Sequence, residues 1–143
     1  MISLAVLMAT YRQDDPVLLE AALRSLLDQQ LPSDHEVRIY LGIDGPVGPE
    51  LEDVIERYAD RIHRLVRSPH NNGLAATLNK LIFLLGDEPY VFRMDADDLS
   101  MPTRFQSQIL FFVEHPDVDI IGTDITEWDR SSDQTRCVAF ARD

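Results

Sequence analysis

The chain alternates short aliphatic runs with segments of helical periodicity, and this alternation most constrains its fold. "ISLAVLMA" is almost wholly aliphatic and ends at Thr10. "DDPVLLEAALRSLLDQQ" follows, with Asp15 before Pro16 as a helix start and Leu19, Ala22, Leu23, Leu26 and Leu27 on one face. "EVRIYLGID" reads as a second strand, and "PELEDVIERYA" carries Leu51, Val54, Ile55 and Tyr58 on one stripe. "IHRLVR" is a third strand, and "GLAATLNKLIFLL" a helix aligning Leu74, Leu78, Leu81, Ile82 and Leu85. "PYVFRMD" is a fourth strand. Pro102 opens a helix with Phe105, Ile109, Phe112 and Val113 inward, stopping before Pro116. "VDIIGT" is expected as a fifth strand, and the tail "DRSSDQTRCVAF" ends in a candidate sixth. Strands that alternate with helices need crossover connections, so the expected fold is α/β, a mostly parallel sheet with helices on both faces. The length fits one domain over residues 1–143, without repeats or an internal linker.

Aspartate and glutamate number 25 against 13 lysines and arginines, a formal charge of −12. Such a chain repels polyanions, so nucleic acid and anionic membrane surfaces are poor partners. A small phosphate ligand remains compatible if a cation bridges it. The sole cysteine, Cys137, excludes an intrachain disulfide and a cysteine-based zinc site, and suits a cytoplasmic setting. No stretch reaches the roughly 20 apolar residues of a membrane span. The apolar N-terminus lacks the basic leader and small-residue cleavage site of a signal peptide, and reads as a buried strand. His35, His63, His70 and His115 show no metal-ligand spacing.

Ligands of such sheets bind at the carboxyl ends of the strands. Those ends are Thr10-Tyr11-Arg12, Asp44-Gly45-Pro46, Ser68 to Gly73, and Asp95-Ala96-Asp97-Asp98. The first loop, "TYRQDDP", has neither the glycine-rich dinucleotide fingerprint nor the phosphate-loop lysine motif. A metal ion is then the natural counter-charge for a phosphate. Three carboxylates within four positions raise one another's pKa unless a cation is present. Mn²⁺ or Mg²⁺ takes one or two carboxylates together with substrate phosphates. Two aspartates spaced i, i+2 on a turn can supply a metal ligand and a contact to a sugar hydroxyl. The plainer alternative is a solvated capping loop. A calcium loop fits poorly, because Leu99 and Ser100 stand where the next ligand and the turn glycine belong. The Asp-x-Asp of haloacid-dehalogenase phosphatases follows the first strand, whereas this one follows the fourth.

"MATYRQDDPVLLEAALRSLLDQ", "GIDGP", "NNGLAATLNKLI" and "YVFRMDADDLSMPTRFQSQ", in this order, resemble glycosyltransferase family 2 with its three-layer, Rossmann-like GT-A fold, over about Ile2 to Trp128. The resemblance implies an inverting transferase using a nucleotide-diphosphate sugar, UDP first among the nucleotides, and Mn²⁺ or Mg²⁺. It also implies a saccharide or lipid-linked acceptor and a role in cell-surface polysaccharide synthesis. By the same resemblance, Thr10 and Tyr11 form the wall for base and ribose, and Asp44 hydrogen-bonds the base. Asn72 and Gly73 lie beside the nucleotide, and Arg93 approaches the diphosphate or donor sugar. Asp95, Ala96 and Asp97 form the Asp-x-Asp motif, with Asp97 the direct metal ligand and Asp98 its neighbour. The residues alone leave open a packed aromatic at Tyr11, a simple Asp-Gly turn at Asp44, a left-handed turn at Asn72-Gly73 and an ion pair at Arg93. Family members continue past this length, and no match to their general base occurs before Asp143. The chain therefore reads as the nucleotide-binding part of a longer, apparently truncated enzyme.

Two other classes compete. A nucleotidyltransferase making nucleotide sugars would carry a glycine-rich basic loop after the first strand, which "TYRQDDP" is not. A response-regulator-like module would need an acidic pair just after that strand and a lysine after the fifth. Asp14 and Asp15 lie too far on, and Gly122-Thr123 stands where the lysine belongs.

Overall fold

The computed structural model describes residues 1–140. The elements run β1 (Ile2–Thr10), α1 (Pro16–Leu27), β2 (His35–Asp44), α2 (Pro49–Arg57), a 3-10 turn (Ala59–Arg61), β3 (Ile62–Ser68), α3 (Leu74–Ile82), β4 (Tyr90–Arg93), α4 (Arg104–Glu114), β5 (Ile125–Asp129) and β6 (Gln134–Val138). They fall into two compact units, one from Met1 to Ile109 and one from Leu110 onward. Among the described residues no helix is long and apolar enough to cross a membrane.

The first unit holds a four-stranded sheet in the order β3-β2-β1-β4. Every pairing in it is parallel, as the alternation of strands and helices predicts. Alternate side chains of β1 leave opposite faces of the sheet. Leu4, Val6 and Met8 pack with Leu19, Leu23 and Leu26 of α1, Val54 and Ile55 of α2, and Phe105 and Ile109 of α4. Ala5 and Leu7 instead join Tyr40 and Leu81 on the α3 face. Helix α1 starts where the sequence places it, with Asp15 accepting from the Val17 amide at 2.9 Å and proline in the first turn.

Three expectations need correction. Residues 118–123, "VDIIGT", form no strand: they pair with no other described strand, and apolar composition alone does not make a strand without a ladder partner for its backbone groups. The fifth strand is instead Ile125–Asp129, paired antiparallel with β6. Its turn is tied by Asp129, whose carboxylate accepts from the Ser131 and Ser132 hydroxyls at 2.7 Å each and from the Ser131 amide at 2.9 Å. These bonds hold Asp129 down at about 2.

The second correction concerns α3. It buries Thr77 and Leu81, while Leu74 and Ile82 of the expected stripe are 48% and 49% exposed. Gly42 of β2 is the cause. A Cβ there would stand 2.4 Å from Thr77 Cγ2, so the helix approaches the sheet at Thr77 and its buried face turns accordingly. The third lies in α4, where Phe105 and Ile109 are buried as expected but Val113 is 66% exposed. Gln108 takes a buried place instead.

Candidate active site

Sheet order fixes where a ligand can sit. The chain steps from β1 outward to β2 and β3, then returns to place β4 on the other side of β1. In sheets of this kind such a reversal is where ligands bind, beyond the carboxyl ends of the flanking strands, here β1 and β4. Thr10 lies beside Ile43 and Asp44 beside Ser68, so the ends of β1, β2 and β3 form one edge. Arg93 pairs with Leu7, and the Met94 amide donates to the Leu7 carbonyl at 3.1 Å. The acidic residues thus leave β4 alongside the last residues of β1.

The loop after β1 is organised by Asp14, which the sequence reading does not single out as a site residue. Its Oδ2 accepts from the Thr10 hydroxyl at 2.8 Å and from the Tyr11 amide at 3.0 Å. Thr10 is buried, whereas Tyr11 is 37% exposed with its hydroxyl donating to Gln13 at 3.2 Å. The only advance signal was the spacing of four between Thr10 and Asp14.

At the end of β2, Asp44 is buried and each carboxylate oxygen accepts one backbone amide: Asn72 at 2.7 Å and Gly73 at 2.8 Å. Its carbonyl accepts from Asn71 Nδ2 at 3.3 Å. Gly45 lets the two loops touch. It has a φ of 87°, and a Cβ there would lie 2.8 Å from the Asn71 nitrogen. Asp44, Asn72 and Gly73 are therefore brought together, and both oxygens of Asp44 already hold the loop.

The acidic turn follows β4. The Asp98 amide donates to the Asp95 carbonyl at 3.3 Å, and Ala96 is buried beneath it. Asp95 pairs with Arg93 Nη2 at 2.5 Å, and both side chains are largely solvent-accessible. Asp97 is exposed and has no hydrogen bond or ion pair among the described residues. Partial burial, then the Asp97 and Asp95 charges, push the Asp98 carboxyl above the usual carboxylate range. Arg104 steadies this strand end from α4, donating to the Arg93 carbonyl at 3.1 Å. Burial lowers its pKa, and the charge of Asp98 opposes that shift.

The donor set fits one kind of metal. Among the described residues no three carboxylate, histidine or cysteine side chains converge to hold an ion alone. Asp97 without a partner and Asp95 in its exposed pair with Arg93 would suit Mn²⁺ or Mg²⁺ completed by phosphate oxygens. They do not match a closed protein cage.

The family model for Glycosyl transferase family 2 matches residues 5–136. An uncharacterized glycosyltransferase of Haemophilus influenzae is 36% identical over 128 residues, covering 89% of this chain and 46% of that protein. The amylovoran biosynthesis glycosyltransferase AmsE of Erwinia amylovora is 35% identical over 126 residues, covering 87% and 46%. The chain thus spans about half the length of the curated relatives it matches. In the same fold, S. aureus TarS 1–349 in complex with UDP-GlcNAc has a TM-score of 0.67 at 19% identity, covering 81% of this chain and 32% of TarS. A mannosyltransferase from Pyrobaculum calidifontis in complex with GDP-Man and Mn²⁺ has a TM-score of 0.58 at 23% identity, covering 71% and 29%. The parallel sheet with an acidic turn at its switch point is thus the GT-A arrangement, and the chain belongs to glycosyl transferase family 2.

Proposed function

We propose that this chain is the nucleotide-sugar-binding part of an inverting glycosyltransferase that uses a UDP-sugar and Mn²⁺ or Mg²⁺. One observation carries the reading: Asp97 is an unpartnered carboxylate on a turn beside the β1–β4 switch point. When bound, the ion neutralises the diphosphate and stabilises it as the leaving group. The rest is positional. Thr10 and Tyr11, held by Asp14, wall the base and ribose. Asp44 keeps the Asn72-Gly73 loop in shape, and its carboxylate retains lone pairs for a base N–H. Asp97 and Asp95 would hold the ion, and Arg93, paired with Asp95 at the turn, would approach the diphosphate or donor sugar. Residues 1–143 act as one donor-binding domain in this reading. UDP-GlcNAc in TarS and Mn²⁺ in the mannosyltransferase support the donor class and the ion. A role in cell-surface polysaccharide synthesis, with a saccharide or lipid-linked acceptor, belongs to the same reading, and the name of AmsE, an amylovoran biosynthesis glycosyltransferase, supports the biosynthetic role.

Calorimetry of the full chain with UDP, first with Mn²⁺ and then with EDTA, tests the proposal. Binding is expected to weaken at least tenfold in EDTA, in line with loss of the ion that joins carboxylate to phosphate. Equal affinity in the two buffers overturns the metal-bridged reading.

A further inference from the structure

We propose that Gln29, just past the end of α1, is a positioning residue that sets the acidic turn for its ion; this rests on reading Asp97 and Asp95 as the metal–diphosphate site. Gln29 uses both ends of its amide. The two hydrogens of Nε2 are shared among three carbonyls, Met101 at 2.9 Å, Ser25 at 3.0 Å and Ser100 at 3.3 Å. Oε1 accepts from the Phe105 amide at 3.2 Å. Two neighbours reinforce it. The Ser100 amide donates to Ser25 Oγ at 3.0 Å, and the Gln30 amide donates to the Pro102 carbonyl at 2.8 Å.

The acidic turn is thereby anchored at both ends. Its entry is held by the ladder through Met94 and by Arg104 on the Arg93 carbonyl. Its exit, over residues 100–105, is held by the end of α1. Asp97 lies between these anchors without a partner of its own. A carboxylate whose backbone is already ordered gives up less entropy on binding, so an exit clamp raises ion affinity without touching the ion. The Gln29 side chain thus joins the outgoing loop to the first turn of α4.

The test is a Mn²⁺ titration of the full chain with saturating UDP, read by the electron paramagnetic resonance of free Mn²⁺. Wild type is compared with Gln29→Met, which keeps the shape and loses the amide's hydrogen bonds. Ser25→Ala removes the acceptor of the Ser100 amide together with the hydroxyl's own bond to the Ala22 carbonyl at 2.8 Å; it leaves the Gln29 side chain in place and tests the same exit clamp if the first variant does not fold. The variant is expected to bind Mn²⁺ about tenfold or more weakly, as for other residues that orient metal ligands through a second contact. Amide exchange at residues 96–101 should quicken, while UDP binding in EDTA stays at the wild-type value. Wild-type Mn²⁺ affinity in the variant overturns the role of Gln29 and leaves the metal site standing. A parallel loss of UDP binding in EDTA shows general loosening and also overturns it. Failure of the wild-type chain to bind Mn²⁺ overturns the metal reading and this inference with it.

Discussion

Two groups of acids at opposite ends of the same sheet behave in opposite ways. At the amino edge, the Glu88 side chain is 1% exposed. It accepts from the Tyr40 hydroxyl at 2.6 Å, from Arg38 at 3.3 Å and from the Gly86 amide at 2.8 Å. Burial alone would raise its pKa, but these bonds outweigh it and hold Glu88 at about 2. Tyr40, buried against that carboxylate, is pushed up to about 12. At the carboxyl edge, Asp98 shifts the other way, through partial burial and two like charges. A charge surrounded by donors supports the fold. Charges gathered without enough donors repel one another, and that repulsion is what a cation would relieve in the proposed metal site.

Breaking the satisfied end should have the largest effect on stability. Glu88→Ala leaves Tyr40 and Arg38 without their shared acceptor and is expected to cost about 3 kcal/mol in urea unfolding. The pH dependence carries the same signature. The folded pKa of Glu88 lies near 2 against an ordinary 4.5, so its contribution is complete above about 4.5 and is lost as pH falls toward 2. Glu88→Gln should flatten the unfolding free energy over that interval. An unchanged slope would mean that the network contributes nothing to acid stability.

The middle case is Asp44, buried like Glu88 yet placed at the binding edge. Asp44→Ala frees two loop amides and is expected to weaken nucleotide binding by about 1–3 kcal/mol. Mn²⁺-dependent binding of free pyrophosphate should survive, because Asp97 is untouched. If pyrophosphate is lost to the same degree, Asp44 belongs with the metal site and the division of the edge is wrong.

Asp97→Ala should move stability least, within about 0.5 kcal/mol, since it removes an exposed charge that bonds to nothing described. The variant is nonetheless expected to lose metal-dependent UDP binding. A large fall in its melting temperature would mean that the acidic turn is a structural cap, and the contrast between the two edges would collapse.

Much of this was legible in the residues. The four parallel strands, the start of α1 at Asp15-Pro16 and the acidic turn after β4 all follow from short-range pattern and chain connectivity. Local backbone preference and the burial of alternate side chains act within a few residues, and a sequence displays them directly. The family resemblance, carried by four ordered motifs, is of the same kind and is met by the match over residues 5–136.

Tertiary structure decided which groups satisfy one another across the chain. Asp44 is separated by 28 positions from the Asn72 amide it accepts, and Gln29 by 76 from the Phe105 amide. No period or turn signal encodes such pairs, because they depend on how crossovers bring loop ends together. The turned face of α3 depends on Gly42, one strand away, and "VDIIGT" has strand composition without a ladder partner among the described residues. A strand or a buried carboxylate needs a partner at hydrogen-bonding distance, and only the folded chain supplies it.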